Sequence, residues 1–226
     1  MNPGGRQAAP RRRAFTLIEL LVVLVIIGIL AALVYSTISV INRKVKIAAT
    51  RTQLQRIAAA IDAYKTRLGF YPPDNPNNPA INPLYFELLG TTNNGNSGPT
   101  NWITLDHSAQ ISSVDPAVNI STVFGVQGFL NTSPGTRSED QAVAAIAFLD
   151  NLTPNQIGSL PTNSQIKVLV CTIEWPAGTT SAPIPNTQLN PWCYNSSHPT
   201  NNTGSYDLWV DLVIGGKTYR VSNWSQ

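Results

Sequence analysis

Residues 11–21 read RRRAFTLIELL, and they place one carboxylate, Glu19, near the start of a long apolar run. From Leu20 to Asn42 no charged residue follows. About 20 apolar residues at roughly 1.5 Å each cross a bilayer core as a helix, so we expect residues 15–38 to span a membrane. An acid costs on the order of 3 kcal/mol at mid-bilayer and less near its edge, so Glu19 requires an explanation.

The charge of the chain is low and unevenly placed. Charged residues make up 12% of the 226 residues, whereas about 25% is usual. The net charge of +3 depends on four arginines in residues 1–14, and without that segment the side-chain sum is −1. The downstream part has no basic run with interleaved aromatic residues, so we expect no nucleic-acid partner.

Residues from Phe15 to about Leu68 are predicted to form one continuous helix. Its first half, residues 15–38, is apolar on all sides, as a spanning segment should be. In its second half, residues 39–69, apolar or small side chains recur at spacings of three and four, which predicts an amphipathic stripe: Ile47, Thr50, Leu54, Ile57, Ile61, Tyr64 and Leu68. Gly69 and the prolines that follow it predict the helix end, and residues 70–226 are expected to form a globular domain.

The globular part carries β signals near its end. YDLWVDLVI alternates from Tyr206 to Ile214, Gly215-Gly216 follows, and KTYRVSNW continues, which predicts a tight hairpin. We also predict a strand over Gln165–Trp175 and a short helix over Ala142–Leu149, preceded by a capping box at 138–141. The expected fold class is α+β, with a long N-terminal helix packed on a small antiparallel sheet.

Four interpretations of the N-terminus compete. A cleavable secretory signal has an apolar region of about 7–15 residues, which is shorter than this run. A plain signal anchor explains the length of the run but leaves Glu19 unexplained. A soluble core helix is disfavoured because the run is apolar all round, and the fourth interpretation gives Glu19 a partner at the same depth in the membrane. Arg43, Lys44 and Lys46 follow the run closely, so charge counting alone does not fix the topology.

A short basic leader, a small residue, F-T-L-I-E and an apolar run resemble the class III signal of type IV pilins and type II secretion pseudopilins. The resemblance implies a leader peptide at residues 1–14, which prepilin peptidase cleaves between Ala14 and Phe15 before the new Phe15 amine is N-methylated. The family usually has Gly before the cut, so Ala14 is a departure. It further implies a single pass through the inner membrane and a periplasmic C-terminal domain.

The family resemblance also explains Glu19 as an assembly residue. The free α-amine of Phe15 has an unperturbed pKa near 8 and is largely cationic at pH 7. In a helical filament Glu19 of one subunit can meet the Phe15 amine of its neighbour, and two charges that are each costly in lipid become tolerable together.

Further short matches point to the major pseudopilins of type II secretion. Phe70-Tyr-Pro72, Asn190-Pro191-Trp192, Gly215-Gly216 and Ser222-Asn-Trp224 follow the order of that family's elements. Such proteins commonly carry a calcium loop rich in Asp before the final Asn-Trp, but this chain has no Asp or Glu between Leu212 and Gln226. We therefore expect no cofactor and no calcium site of the family type. Asp207 and Asp211 are predicted to lie on the outward side of a strand.

Two cysteines, Cys171 and Cys193, are candidates for a disulfide, because an exported domain lies where disulfides persist. Two unpaired thiols are the alternative. His107 and His198 lack metal-ligand spacing, and there is no G-x-S-x-G motif or P-loop, so we expect no enzyme.

The function implied is a structural subunit of a type II secretion pseudopilus, a homo-oligomeric helical filament that helps to drive protein export. The expected partners are other pseudopilins, prepilin peptidase, an assembly ATPase, a platform protein and the membrane. The alternatives are a type IV pilin or minor pilin for adhesion or DNA uptake, and a membrane-anchored binding domain that does not polymerise.

Overall fold

One helix of 52 residues, α1 (Leu17–Leu68), begins the fold. The computed structural model describes residues 15–93, 101–112, 120–134 and 144–225, without the side chains of residues 33–39 and 134. Gly69 ends α1 with φ +90°, and its N–H donates to the carbonyl of Lys65 at 2.9 Å, as glycine does at many helix ends. The predicted long helix is confirmed.

The chain divides into two compact units, Met1–Val45 and Lys46–Gln226. In the described part of the first unit, the large apolar side chains of α1 are exposed. Leu17 at its start is 82% exposed, and Leu30 is 56% exposed. A search of the described residues finds no helix with enough length and apolar character to cross a membrane. The predicted span over residues 15–38 is therefore not confirmed.

The second unit contains the core, and α1 contributes one stripe to it. Thr50, Leu54, Ile57, Ile61 and Tyr64 are buried, and Ile47 and Leu68 are half-buried against them. These are the seven positions that the sequence predicts. At about 25 cal/mol per Å² of apolar area, this burial is what attaches the second half of the helix to the globular part.

Short elements follow α1 in the second unit. The described helices are α2 (Leu84–Leu89), α3 (Ile120–Phe124) and a 3₁₀ turn over Pro154–Gln156. The described strands are β1 (Thr91–Asn93), β2 (Asn101–Thr104), β3 (Gln110–Ser112), β4 (Thr132–Pro134), β5 (Ile157–Leu160), β6 (Asn163–Leu169), β7 (Cys193–Asn195), β8 (Asp207–Ile214) and β9 (Lys217–Ser222).

These strands form three sheets, one of them mixed. The first has the order β3-β2-β1-β4, and its β1–β4 pair is parallel; β5 and β6 form the second, and β7-β8-β9 the third. Strands β8 and β9 pair antiparallel from Trp209 opposite Ser222 to Ile214 opposite Lys217. The turn residues Gly215 and Gly216 have φ values of +58° and +74°, which glycine adopts at little steric cost. The predicted hairpin and the α+β class are confirmed.

Two predicted elements differ from the structure. The predicted short helix is wrong over residues 144–149, which are not helical; its first residues, 142 and 143, and the capping box at 138–141 lie outside the described residues. The backbone N–H groups of Phe148 and Leu149 instead donate to the carbonyl of Leu88. The predicted strand over 165–175 is shifted, because β6 ends at Leu169 and only an isolated bridge between Val170 and Pro191 continues it.

Candidate functional site

A capping box forms the start of α1. The backbone N–H and the hydroxyl of Thr16 each donate to Oε2 of Glu19 at 2.8 Å, and the backbone N–H of Glu19 contacts Thr16 Oγ1 at 3.3 Å. This is the reciprocal arrangement of an N-cap threonine and a glutamate three residues later. Both bonds to the carboxylate fall on Oε2 and neither uses Oε1. The T-x-x-E spacing of residues 16–19 was the signal, and sequence reasoning missed it.

Phe15, two residues before the start of α1, borders the same groove as Glu19. Together with three apolar residues they line a shallow, almost wholly apolar groove of about 330 Å³: Ile18, Val22 and Val23. Phe15 is 79% exposed. A carboxylate therefore stands at one end of an exposed apolar face, beside the residue that would carry a new amino terminus. Ala14, the other residue of the predicted cleavage site, lies outside the described residues.

In the second unit, Glu87 of α2 is a buried carboxylate that sequence reasoning did not single out. Its Oε1 accepts the Leu130 N–H at 2.8 Å, and its Oε2 accepts the Asn131 N–H at 3.0 Å and the Tyr64 hydroxyl at 2.9 Å. Burial raises the pKa of Glu87, although the three hydrogen bonds act in the opposite direction. The group joins α1, α2 and the chain before β4. No sequence periodicity indicates such a contact.

Asp207 is a second buried carboxylate, and the prediction that it lies on the outward side of a strand is wrong. It is 2% exposed because the chain before β8 folds over it. Its oxygens accept the backbone N–H groups of Thr200, Asn201 and Asn202 at 2.8–2.9 Å. Burial raises its pKa, but these hydrogen bonds prevail, and the pKa lies below its usual value.

Asp211, four residues further along β8, is half-buried and pairs with Arg220 of β9. Two nitrogens of the guanidinium contact its two carboxylate oxygens at 2.8 and 2.7 Å. The register of the hairpin places these two residues opposite each other. Within the described ranges, no group of three or more His, Cys, Asp or Glu side chains could hold a metal ion.

Cys171 and Cys193 are free thiols in the structure, so the candidate disulfide between them is not confirmed. The backbone register separates them, because the Cys171 N–H donates to the carbonyl of Asn190 while Cys193 stands opposite Trp209. Burial raises the pKa of both thiols, that of Cys193 to about 12. His107 and His198 are exposed.

Comparison with known proteins first identifies the class of N-terminus. Residues 9–35 match the family described as the prokaryotic N-terminal methylation motif. This match covers residues 9–14, Phe15, Glu19 and most of the apolar run. The predicted resemblance to type IV pilin-like proteins is confirmed.

The chain is also similar to a particular protein, the Type II secretion system core protein G of Pseudomonas aeruginosa. The two are 36% identical over 92 residues, which is 41% of this chain and 59% of the relative. The match therefore spans little more than half the length of that relative. No solved structure matches the chain. The predicted resemblance to major pseudopilins of type II secretion is confirmed at the level of this similarity.

Proposed function

We propose that this chain is a structural subunit of a type II secretion pseudopilus, polymerising through α1 to help drive protein export. The observation that carries the proposal is the position of Glu19 beside Phe15 on one exposed apolar face. The methylation-motif match over residues 9–35 and the similarity to a type II secretion core protein support it. In this role the chain is a structural subunit and no enzyme.

The proposed organisation follows from the processing signal. Prepilin peptidase removes residues 1–14 by cutting between Ala14 and Phe15, and the Phe15 amine is then N-methylated. Residues 15–38 anchor the protein in the inner membrane, residues 39–69 form the amphipathic half of the helix, and residues 70–226 are periplasmic. The proposed partners are further copies of the chain, other pseudopilins, prepilin peptidase, an assembly ATPase and a platform protein.

Assembly uses the charge of Glu19. Its carboxylate meets the cationic Phe15 amine of an adjacent subunit, and this pair favours one axial offset between neighbouring helices. Removing one partner of a buried charge pair leaves an uncompensated charge, which costs about 3–5 kcal/mol. The pair therefore penalises every offset in which the two groups do not meet.

Thr16 prepares this contact. Its two hydrogen bonds hold Oε2 of Glu19 towards the N-terminal end of α1, and Oε1 takes part in neither bond. A carboxylate at a helix N-terminus is also favoured by the helix dipole, by about 0.3–1 kcal/mol when exposed. The capping box thus orients the carboxylate, and the neighbour's amine supplies the opposite charge.

Two substitutions at one position separate capping from charge pairing. Glu19→Leu removes both functions. Glu19→Gln keeps an amide oxygen that can accept the Thr16 bonds, because glutamine also completes a capping box, but it carries no charge. We expect both variants to accumulate as processed, membrane-bound monomers that do not enter filaments, measured by fractionation and by electron microscopy of sheared fibres.

Normal filaments from Glu19→Gln would show that the carboxylate serves the cap alone and would overturn the pairing role. Mass spectrometry of the mature N-terminus tests the processing step independently. An N-methylated Phe15 is expected, and an intact Met1 in the native protein would exclude the proposed function.

A further inference from the structure

Residues 40–45, VINRKV, form a short segment of α1 in the first unit, here called the collar. Three of its apolar side chains are exposed: Val40 at 41%, Ile41 at 52% and Val45 at 60%. Lys44 is exposed between them, and Arg43 stands next to it. The sequence from Leu20 to Ile61 contains no Asp or Glu, so no acid on the neighbouring turns of α1 offsets the positive charge of Lys44.

The distance along α1 sets the depth of the collar. At about 1.5 Å per residue, Lys44 lies about 40 Å along the helix from Leu17. A hydrocarbon core is about 30 Å thick, and a bilayer with its headgroups is about 40–45 Å thick. With Leu17 at one edge of the hydrocarbon, the backbone of Lys44 lies about 10 Å beyond the other edge.

Side-chain direction brings the ammonium group closer to the lipid. Cα–Cβ bonds in a helix tilt towards its N-terminus, which for Lys44 is the direction of the apolar run. A lysine extends its methylene chain along apolar surface and keeps its charge in the polar layer. The exposed Ile41 and Val45 provide that apolar surface one turn before and one residue after Lys44.

We propose that the collar binds the anionic phosphate headgroups of the phospholipid leaflet at the C-terminal end of the span. This inference rests on the proposed membrane anchoring of residues 15–38. Charge complementarity selects an anionic lipid, and the mixture of exposed valine and isoleucine with basic residues matches the boundary between acyl chains and headgroups. The contact fixes how far α1 can slide along the membrane normal.

The collar also gives the lipid a role in assembly. Before a subunit joins a filament, the headgroup contact holds its helix at one depth, and Glu19 at the opposite end of the span is then held at a defined height. Extraction of the subunit from the membrane must break this contact. A lipid-bound collar is therefore a resting-state anchor that competes with incorporation into the fibre.

The test reconstitutes the full chain in phosphatidylcholine vesicles and measures its preference for spin-labelled phosphatidylglycerol over spin-labelled phosphatidylcholine by electron spin resonance. Lys44→Gln removes one collar charge. The matched control is Arg51→Gln, an exposed basic residue about 10 Å further along α1, which is more than the ~8 Å over which salt screens a charge. Comparing variants of the same chain cancels the contribution of the leader arginines.

We expect Lys44→Gln to lower the phosphatidylglycerol preference about fivefold at about 0.15 M salt, since one basic residue near an anionic surface contributes about that factor. Arg51→Gln should leave the preference unchanged, and high salt should remove the difference between wild type and Lys44→Gln. Equal preference in all three proteins would overturn the collar inference while leaving the anchoring intact.

Two other outcomes would also exclude it. If alkaline carbonate washes the chain off the vesicles, the anchoring itself fails, and the proposed function fails with it. If Lys44→Gln impairs filament formation in cells without changing the lipid preference, the collar binds a protein, and the lipid assignment is wrong.

Discussion

Tyr64 of α1 donates a hydrogen bond of 2.9 Å to Oε2 of Glu87 in α2, and both residues are completely buried. The same carboxylate accepts the backbone N–H groups of Leu130 and Asn131. The Asn131 side chain in turn donates to the carbonyls of Glu87 and Ile146 at 2.7 Å each. One buried acid thus ties the amphipathic half of α1 to the irregular chain on both sides of β4.

Tyr64→Phe should destabilise the second unit by about 1–3 kcal/mol, because a buried carboxylate then loses one of its three donors. Tyr71→Phe is the matched control, since the half-buried Tyr71 hydroxyl bonds only Ser205 Oγ among the contacts described, at 3.1 Å, and its loss should cost less than about 1 kcal/mol. Denaturant unfolding of the full chain in mild detergent, followed by tryptophan fluorescence, measures both. Equal losses of unfolding free energy in the two variants would show that the hydrogen bond to Glu87 stabilises the fold no more than the hydrogen bond to Ser205.

Glu87 should make the stability depend on pH. Burial raises its pKa in the folded state above the ordinary value of about 4.3, so the folded chain binds more protons than the unfolded chain between these two values. Its contribution is therefore fully present below the unfolded pKa and is lost as pH rises through the folded pKa. The difference in unfolding free energy between wild type and Glu87→Gln should fall as pH rises from about 4 towards neutrality. A difference that is flat across this range would contradict the raised pKa.

Asp207→Asn should lower the free energy of unfolding by about 1–3 kcal/mol. The amide nitrogen of asparagine, itself a donor, would then face backbone N–H groups whose hydrogen bonds the carboxylate now accepts. Asp211→Asn, four residues away, breaks the ion pair to Arg220, whose side chain is 54% exposed, and should cost less than about 1 kcal/mol. The lowered pKa of Asp207 gives the opposite pH dependence to Glu87. Its contribution is present above the unfolded pKa of about 3.9 and is lost as pH falls through the folded pKa. Thermal melts of both variants at neutral and acidic pH measure this, and a larger loss in Asp211→Asn would refute the ranking.

Both cysteines should be protected but reduced in the native protein. Without reductant, the folded chain should react slowly with a thiol-alkylating reagent, because burial raises the pKa of both thiols and thiolate is the reactive form. After unfolding in guanidinium, still without reductant, both Cys171 and Cys193 should be alkylated, as read by mass spectrometry. If neither cysteine is alkylated until a reductant is added, the two are joined in the disulfide that the sequence suggested.

The features that depend on the periodic spacing of apolar residues could be predicted from the sequence. The stripe from Ile47 to Leu68 follows from spacings of three and four, and the β8–β9 hairpin follows from alternation around Gly215-Gly216. Both depend on which face of one element becomes apolar, and that is a local property of the chain. The capping box of Thr16 and Glu19 is equally local, and its spacing was present in the sequence.

The buried acids could not be predicted in this way. Glu87 and Asp207 are buried because backbone N–H groups from residues 130–131 and 200–202 fold over them. Those contacts depend on loops that have no periodicity. The helix prediction for residues 144–149 fails for the same reason. Hydrogen bonds from this backbone to Leu88, Asn131 and Ser133 replace those of the predicted helix. Partners far away in the sequence decided the cases of Glu87 and of residues 144–149, and an irregular loop five to seven residues upstream decided that of Asp207.

Gly158 of β5 should not tolerate a side chain. A Cβ at this position would lie 2.7 Å from Val170 Cγ1 and 3.1 Å from Leu189 Cδ2, and Val170 is itself only 6% exposed. Because the valine side chain is stiff and closely packed, Gly158→Ala should cost about 1–3 kcal/mol through overpacking between β5 and the chain that follows β6. Gly204→Ala is the control, because a Cβ there meets no heavy atom within 4 Å and should change stability by less than about 1 kcal/mol. Denaturant unfolding of both variants measures the difference, and a neutral Gly158→Ala would show that Val170 and Leu189 can move apart at little cost.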